Sequence, residues 1–385
     1  MDIGQVCIRE CDGDRVEVAA EAGGRPLFVR MPRARLARDA VGDALALFVL
    51  IPAMRAGTPL RVPPAYPVSS RLAEALPGIQ RVYRSWNPRL QAIEVDARLR
   101  APQADGRGTG VYYAGGVDAS YTLLTHLDEI DTLVAIFGFD LTMNAEEMRI
   151  SRERNAAFAR HLGKAFVVVE SNHRTFLRDL GVSRMFGYGA MLGAIGLLLG
   201  FARCYIASSH APAYIRPGGA HPVLDWRFSN GTTDIVHDDA SLSRYQKTLA
   251  VAQRRDFLDN LRVCWEDPNA NCGRCSKCLR TMVALRLCGA TGPFPPLDDL
   301  RRVRDMAAAS EHDYVIELVL EARRGGDEAL VRALRSGLRR QDLREAVRHL
   351  GYALTGRRMR DPFARRNPAE ADLIKHELRP DLDPG

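Results

Sequence analysis

The sequence predicts an α/β protein: a parallel-sheet core with a cysteine knuckle, an α+β region before it and a helical region after it. Three observations carry this. Short apolar runs alternate with helix-period segments from Val111 to Ser209, the pattern of strand–helix–strand units. The first of these runs ends in two glycines and passes straight into a helical segment. Cys264, Cys272, Cys275 and Cys278 fall in one short stretch. A chain of 385 residues suggests two or three domains, and composition places them at 1–104, 105–295 and 296–385.

In the first region, "VCIREC" and "RVEVAAEAG" alternate as a strand pair around a Gly-Asp turn. "DAVGDALALFVLIPAMRAG" has helical period, and "SSRLAEALPGIQRVY" opens on serine caps as a second helix. "LQAIEVDA" reads as a strand, and "APQADGRGTG" as the boundary loop. The core then reads "VYYA" strand, "DASYTLLTHLD" helix, "TLVAIFGF" strand, "NAEEMRISRERNAAFARHLG" helix and "KAFVVVES" strand. A glycine-rich helix over 185–202 and the strand "CYIASS" follow. Ligands of such sheets bind beyond the carboxyl ends of the strands, so 114–120, 137–140, 170–173 and 208–210 are expected together. Residues 211–245 read as a long functional loop region. Residues 296–385 are helical and arginine-rich, with a polar tail expected to fray.

The net charge of +7 is too modest to mark a nucleic-acid binder by itself. Arginine is the default cation. Lysine occurs only at Lys164, Lys247, Lys277 and Lys375, which hints at places that favour a compact ammonium. The opening Met1-Asp2-Ile3-Gly4 does not read as a secretory signal, so the expectation is a cytoplasmic protein with reduced, buried or metal-bound cysteines. The uncharged run Met185–Ala202 is long enough to test as a membrane span, but its five glycines favour a buried helix with close backbone packing.

A strand that ends in two glycines before a helix builds an anion site. Glycine permits the turn, and successive N–H groups point into one concavity at the positive end of the helix. The Walker A spacing and the dinucleotide fingerprint are both absent. Ala114, Gly115, Gly116, Val117, Asp118 and Ala119 instead resemble the Ser-Gly-Gly-x-Asp-Ser loop of the N-type (PP-loop) ATP pyrophosphatases. Both glycines and the aspartate match; both serines are alanine, and Ser120 offers a hydroxyl one residue late. The resemblance implies an adenine nucleotide alpha-hydrolase-like (HUP-like) core binding ATP and Mg²⁺ through residues 114–120. It also implies adenine seated near Phe137 and Gly138.

Cys264, Cys272, Cys275 and Cys278 have the spacing C-x7-C-x2-C-x2-C, which suits a tetrahedral Zn²⁺ with no vacancy and hence a structural role. Lys277, Arg274 and Arg280 would offset its charge. An iron–sulfur cluster is the less favoured alternative. With the glycine loop, the cluster is similar to the 7-cyano-7-deazaguanine synthases and to the group holding the ATP-dependent muramoyl-peptide glutamate epimerase. The resemblance spans about 108–290.

Between the two motifs, His210 follows the last strand at the binding edge, and Asp225, Asp234, His237, Asp238 and Asp239 are candidates for substrate, Mg²⁺ or acid–base roles. Arg244 and Lys247 lie one helical turn apart, able to hold a carboxylate or leaving pyrophosphate. The expectation is an ATP-dependent adenylating enzyme with Asp118, Lys247, Arg244 and His210 as catalytic residues. It would activate an oxygen of a small molecule or peptide for amide or nitrile formation or epimerisation. A tRNA-modifying enzyme of the same fold and a nucleotide-binding protein with reduced catalysis are the alternatives.

Overall fold

A computed structural model describes residues 1–103, 105–139, 143–209, 211, 215–267, 269–308, 310 and 312–355. Contacts divide the chain into two compact units. One holds Met1–Ala114 and Thr125–Ala240; the other holds Gly115–Leu124 and the described part of Ser241–Pro368.

The first unit is built on one eight-stranded sheet. β1 (Cys7–Cys11), β2 (Arg15–Ala22) and β3 (Arg25–Pro32) form an antiparallel meander. Helices α1 (Val41–Ala56) and α2 (Ser70–Trp86) follow, with two short parallel pairs: β4 (Leu60–Arg61) with β6 (Val95–Asp96), and β5 (Val68–Ser69) with β7 (Leu99–Arg100). Then come five parallel strands: β8 (Thr109–Tyr112), β9 (Thr132–Phe137), β10 (Ala165–Ser171), β11 (Arg203–Ile206) and β12 (Asp234–His237). Every residue of β9 is buried, as a continuous apolar strand with both faces covered should be. Between these strands the chain forms α3 (Val117–Thr125), α4 (Ala145–His161), α5 (His173–Asp179) and α6 (Arg184–Leu198). Asn144 caps α4 by accepting from the N–H groups of Glu146 and Glu147, two acids that also suit the positive helix end.

The sheet order is β1-β2-β3-β10-β9-β8-β11-β12. Among the parallel strands, connectivity reverses direction beside β8, the switch point at which open α/β sheets bind ligands. The chain leaving β8 there is Tyr113-Ala114-Gly115-Gly116.

The sequence pairs only two strands here, in a region of its own; β3 is a third, and it pairs antiparallel with β10, Arg30 opposite Glu170 and Val29 opposite Ser171. Charge reinforces the seam. Arg15 pairs with Glu170, and Arg30 bridges Glu170 and Glu17, so Glu170 ties the two halves of the sheet together.

The glycine-rich run forms the fifteen-residue α6, and among the described residues no helix is long and apolar enough to cross a membrane. Its glycines admit close neighbours. A Cβ at Gly189 would lie 2.8 Å from Asp225 Oδ1, one at Gly193 2.7 Å from Phe228 Cβ, and one at Gly196 3.0 Å from Ile235 Cδ1. The short 3-10 turn Asp225–Phe228 therefore packs directly on the helix.

His173 opens α5, buried among the rings of Phe48, Phe139 and Phe176. Burial pushes its pKa from 6.5 down to about 4. The unfolded chain therefore binds more protons between those values. Stability from neutral His173 is complete above pH 6.5 and declines as pH falls toward 4, by up to roughly 3 kcal/mol. His173→Phe is expected to flatten that acid limb in urea melts; an unchanged slope would exclude His173 as its origin.

The second unit is helical apart from the cysteine loop. It holds most of α3, with α7 (Arg244–Ala252), α8 (Arg255–Asp259), α9 (Ser276–Leu287), α10 (Leu300–Ala307), α11 (His312–Arg324) and α12 (Glu328–Thr355). A capping box starts α7: Ser243 accepts from the Gln246 N–H, and Gln246 accepts from the Ser243 N–H. The C-terminal region is helical where described, and the tail expected to fray, 356–385, lies outside the described residues.

Candidate metal centre and glycine loop

In the second unit, the sulfurs of Cys264, Cys272, Cys275 and Cys278 lie within 4.8 Å of one another. Cys264 Sγ is 3.8 Å from Cys275 Sγ, and Cys272 Sγ is 4.0 Å from Cys278 Sγ. Thiolates 2.3 Å from one tetrahedral ion sit about 3.8 Å apart, so the set could hold a single metal ion such as zinc. A cubane cluster binds its thiolates to four separate irons and needs wider spacing.

Tight turns bring the sulfurs together by turning N–H groups onto them. Glu266 and Asp267 donate to Cys264 Sγ at 3.3 and 3.2 Å, Cys275 to Cys272 Sγ at 3.3 Å, and Cys278 to Cys275 Sγ at 3.4 Å. Cys275 thereby caps α9. Gly273 takes φ +64°, and a Cβ there would lie 2.2 Å from Pro295 Cγ. Hydrogen bonding from the Cys278 thiol pulls the Cys275 thiol down to about 4 against the cost of burial, and Cys278 is pushed up in return. A metal ion would bind these sulfurs as thiolates and release their protons.

The three cations expected to offset the centre have other partners: Arg274 pairs with Glu266 at 3.2 Å, Lys277 lies over Trp265, and Arg280 lies over Tyr314. A half-buried cation near the sulfurs is Arg262, a residue that spacing did not single out. Burial lowers its pKa, opposed by the neighbouring Cys264 and Asp267.

The glycine loop belongs to this same unit from Gly115 onward. Ser120 N–H donates to Gly116 O, so α3 begins at Val117 and leaves the N–H groups of its first turn without helical partners. Gly115 takes φ +84°, and a Cβ there would lie 3.1 Å from both Asn260 O and Arg262 Cβ. A Cβ at Gly116 would meet nothing within 4 Å. The two glycines thus have different reasons: the first is required by the fold, the second leaves space open.

Two cationic side chains touch its helix, and Arg262 braces the loop through its backbone. Arg244 Nη1 pairs with Asp118 Oδ2 at 2.5 Å. Lys247 is buried, its Nζ 5.5 Å from the centre of the Tyr121 ring. Arg262 N–H donates to Gly115 O at 2.7 Å. Asp118 Oδ1, Ser120 Oγ and Arg262 Nε are buried without a hydrogen-bond partner among the described residues. The two cationic side chains, Arg244 and Lys247, outnumber the Asp118 carboxylate at this helix start, which favours an anion there.

The first unit holds the remaining candidates. His237 Nδ1 lies 2.8 Å from Asp225 Oδ2, both side chains buried; His237 Nε2 and Asp225 Oδ1 have no partner among the described residues. Burial raises the Asp225 pKa, countered by His237. Asp238 Oδ1 meets His126 Nε2 at 2.8 Å, and Asp234 is exposed at the start of β12. Phe137 and Phe139 are buried in the core. Gly138 takes φ +89°, with Ser171 O 2.0 Å from where its Cβ would be, so these positions are explained by packing. His210 and Asp140 lie outside the described residues.

Arg262 and Asn271 were missed because their roles rest mainly on backbone contacts, which leave no mark on side-chain spacing. Comparison of the chain with protein-family models, curated proteins and solved structures finds no match.

Proposed function

We propose that the chain is an ATP-dependent adenylating enzyme of the PP-loop type, with a structural Zn²⁺ held by Cys264, Cys272, Cys275 and Cys278. The observation that carries this reading is the glycine loop: an open helix start after the switch-point strand, with the side chains of Arg244 and Lys247 on its helix and the Arg262 backbone bracing Gly115. An oxygen of a small-molecule or peptide carboxylate, amide or carbonyl attacks the α-phosphorus of ATP. The bond to the β-phosphate bridging oxygen breaks, and pyrophosphate leaves with the electron pair. The loop N–H groups and the cations stabilise the charge that builds on the leaving group. Mg²⁺, when bound, would neutralise phosphate charge, and Asp118 Oδ1, buried without a hydrogen-bond partner among the described residues, is the carboxylate atom that would hold it.

The Asp118–Arg244 ion pair favours a second reading, a nucleotide-binding protein with reduced catalysis, because it engages two expected catalytic groups with each other. A tRNA-modifying role is less supported. Exposed arginines of α10–α12 are interleaved with acids, as in Arg340–Asp305 and Arg324–Glu321. Pyrophosphate release screened against carboxylates separates the readings. Asp118→Ala is expected to lower AMP and pyrophosphate formation about a hundredfold; full retention would refute the role of Asp118, and ATP binding with no AMP formed would favour the second reading.

A further inference from the structure

We infer that the four-cysteine centre governs the glycine loop, with Asn271 as the positioning residue that links them; this rests on the reading above for the ligand, but not for the coupling. Asn271 stands between Cys264 and Cys272 in sequence. Its side chain is used in full. Nδ2 donates to Leu261 O at 2.8 Å and to Pro293 O at 3.1 Å, and Oδ1 accepts from Val263 N–H at 2.9 Å. Asn271 thus grips the residues on both sides of Arg262. Arg262 in turn donates its N–H to Gly115 O at 2.7 Å, and its Cβ and Asn260 O set the space that makes position 115 a glycine. A second path joins the same points. Arg262 Nη2 donates to Asp267 O, and the Asp267 N–H donates to Cys264 Sγ at 3.2 Å.

Both paths end on the loop's carbonyl side, leaving the N–H groups of the α3 start to face a ligand. Metal binding fixes Cys264 and Cys272, which fixes Asp267 and Asn271, which fixes Arg262 and so Gly115. Emptying the centre frees four sulfurs, and the segment that braces Gly115 loses its two anchors together. The centre therefore acts as a switch on anion affinity, while its ion never touches the ligand.

The test is hydrogen exchange of the peptide spanning 108–125, read on the full chain with and without Zn²⁺, and on Asn271→Ala loaded with Zn²⁺. This measurement needs no nucleotide, so it reads the coupling even if ATP is not the ligand. Zinc removal from the wild type is expected to speed exchange at 115–120 about tenfold, reversed by adding Zn²⁺ back. Asn271→Ala is expected to keep its zinc, to show the same acceleration, and to bind ATP about tenfold more weakly. Asn271→Asp, which keeps the acceptor for Val263, is expected to restore part of the protection. Asn271→Ala with bound zinc and wild-type exchange at 115–120 would overturn the inference, as would zinc removal that leaves those amides unchanged.

Discussion

With the proposed metal ion held by the four cysteines, replacing Cys278 with serine is expected to cost the second unit that ion and much of its stability. Cys278 is fully buried in the first turn of α9, with its sulfur 4.0 Å from that of Cys272. Serine there leaves three thiols around an incomplete tetrahedron and a buried hydroxyl with no ion to meet. The turns that hold the sulfurs offer little apolar area of their own: Trp265 is exposed and Cys272 half-buried. Structural Zn²⁺ contributes on the order of 10 kcal/mol or more in small zinc-binding peptides. A loss of even half that value lowers the melting temperature by roughly 10–20 °C in a unit of this size. The measurements are metal content by mass spectrometry and a thermal melt, with Cys288→Ser, outside the cluster, as control. Metal-free wild-type protein that melts at the same temperature as metal-loaded protein would refute a structural centre.

Gly115→Ala and Gly116→Ala are expected to part company, although they alter adjacent glycines in one motif. At 115 the left-handed backbone costs about 1–2 kcal/mol for any residue with a Cβ, and contacts of 3.1 Å with Asn260 O and Arg262 Cβ add overpacking of similar size. A destabilisation of about 3 kcal/mol follows, seen as a lower midpoint in urea. At 116 no atom lies within 4 Å of the added methyl, so stability should change by less than about 0.5 kcal/mol. If the open side of Gly116 is where phosphate oxygens approach, that methyl takes their place, and ATP affinity should fall tenfold or more, by titration calorimetry. A stable Gly116→Ala chain with undiminished affinity would place any nucleotide elsewhere.

Much of the first unit was legible because burial writes itself into strands and helices. The runs "TLVAIF" and "AFVVVES" became β9 and β10, and the capping asparagine of α4 stands where its acids follow. The cysteine spacing brought its four sulfurs together. The scarcity of lysine distinguished no site: Lys247 and Lys277 each lie over an aromatic ring, but so do Arg254 and Arg280. What stayed hidden depends on partners far away in sequence. β12 is four residues in a polar stretch, recognisable only beside β11. The union of β3 with β10 rests on a register that alternation cannot encode. Phe137 and Phe139 have the composition of a stacking site and the environment of a core.

That union also governs how the chain is born. Arg15 and Glu170 are 155 positions apart. At about 5–20 residues per second of synthesis, the β1–β3 meander waits roughly 10–30 s before β10 exists to pair with it. For that interval β3 presents an open edge, the kind of surface on which nascent chains stick to one another. Arg25 and Arg30 sit along this edge. Arg30 pairs with Glu17 within the meander itself, so half of the charge seam is in place before Glu170 arrives to complete it.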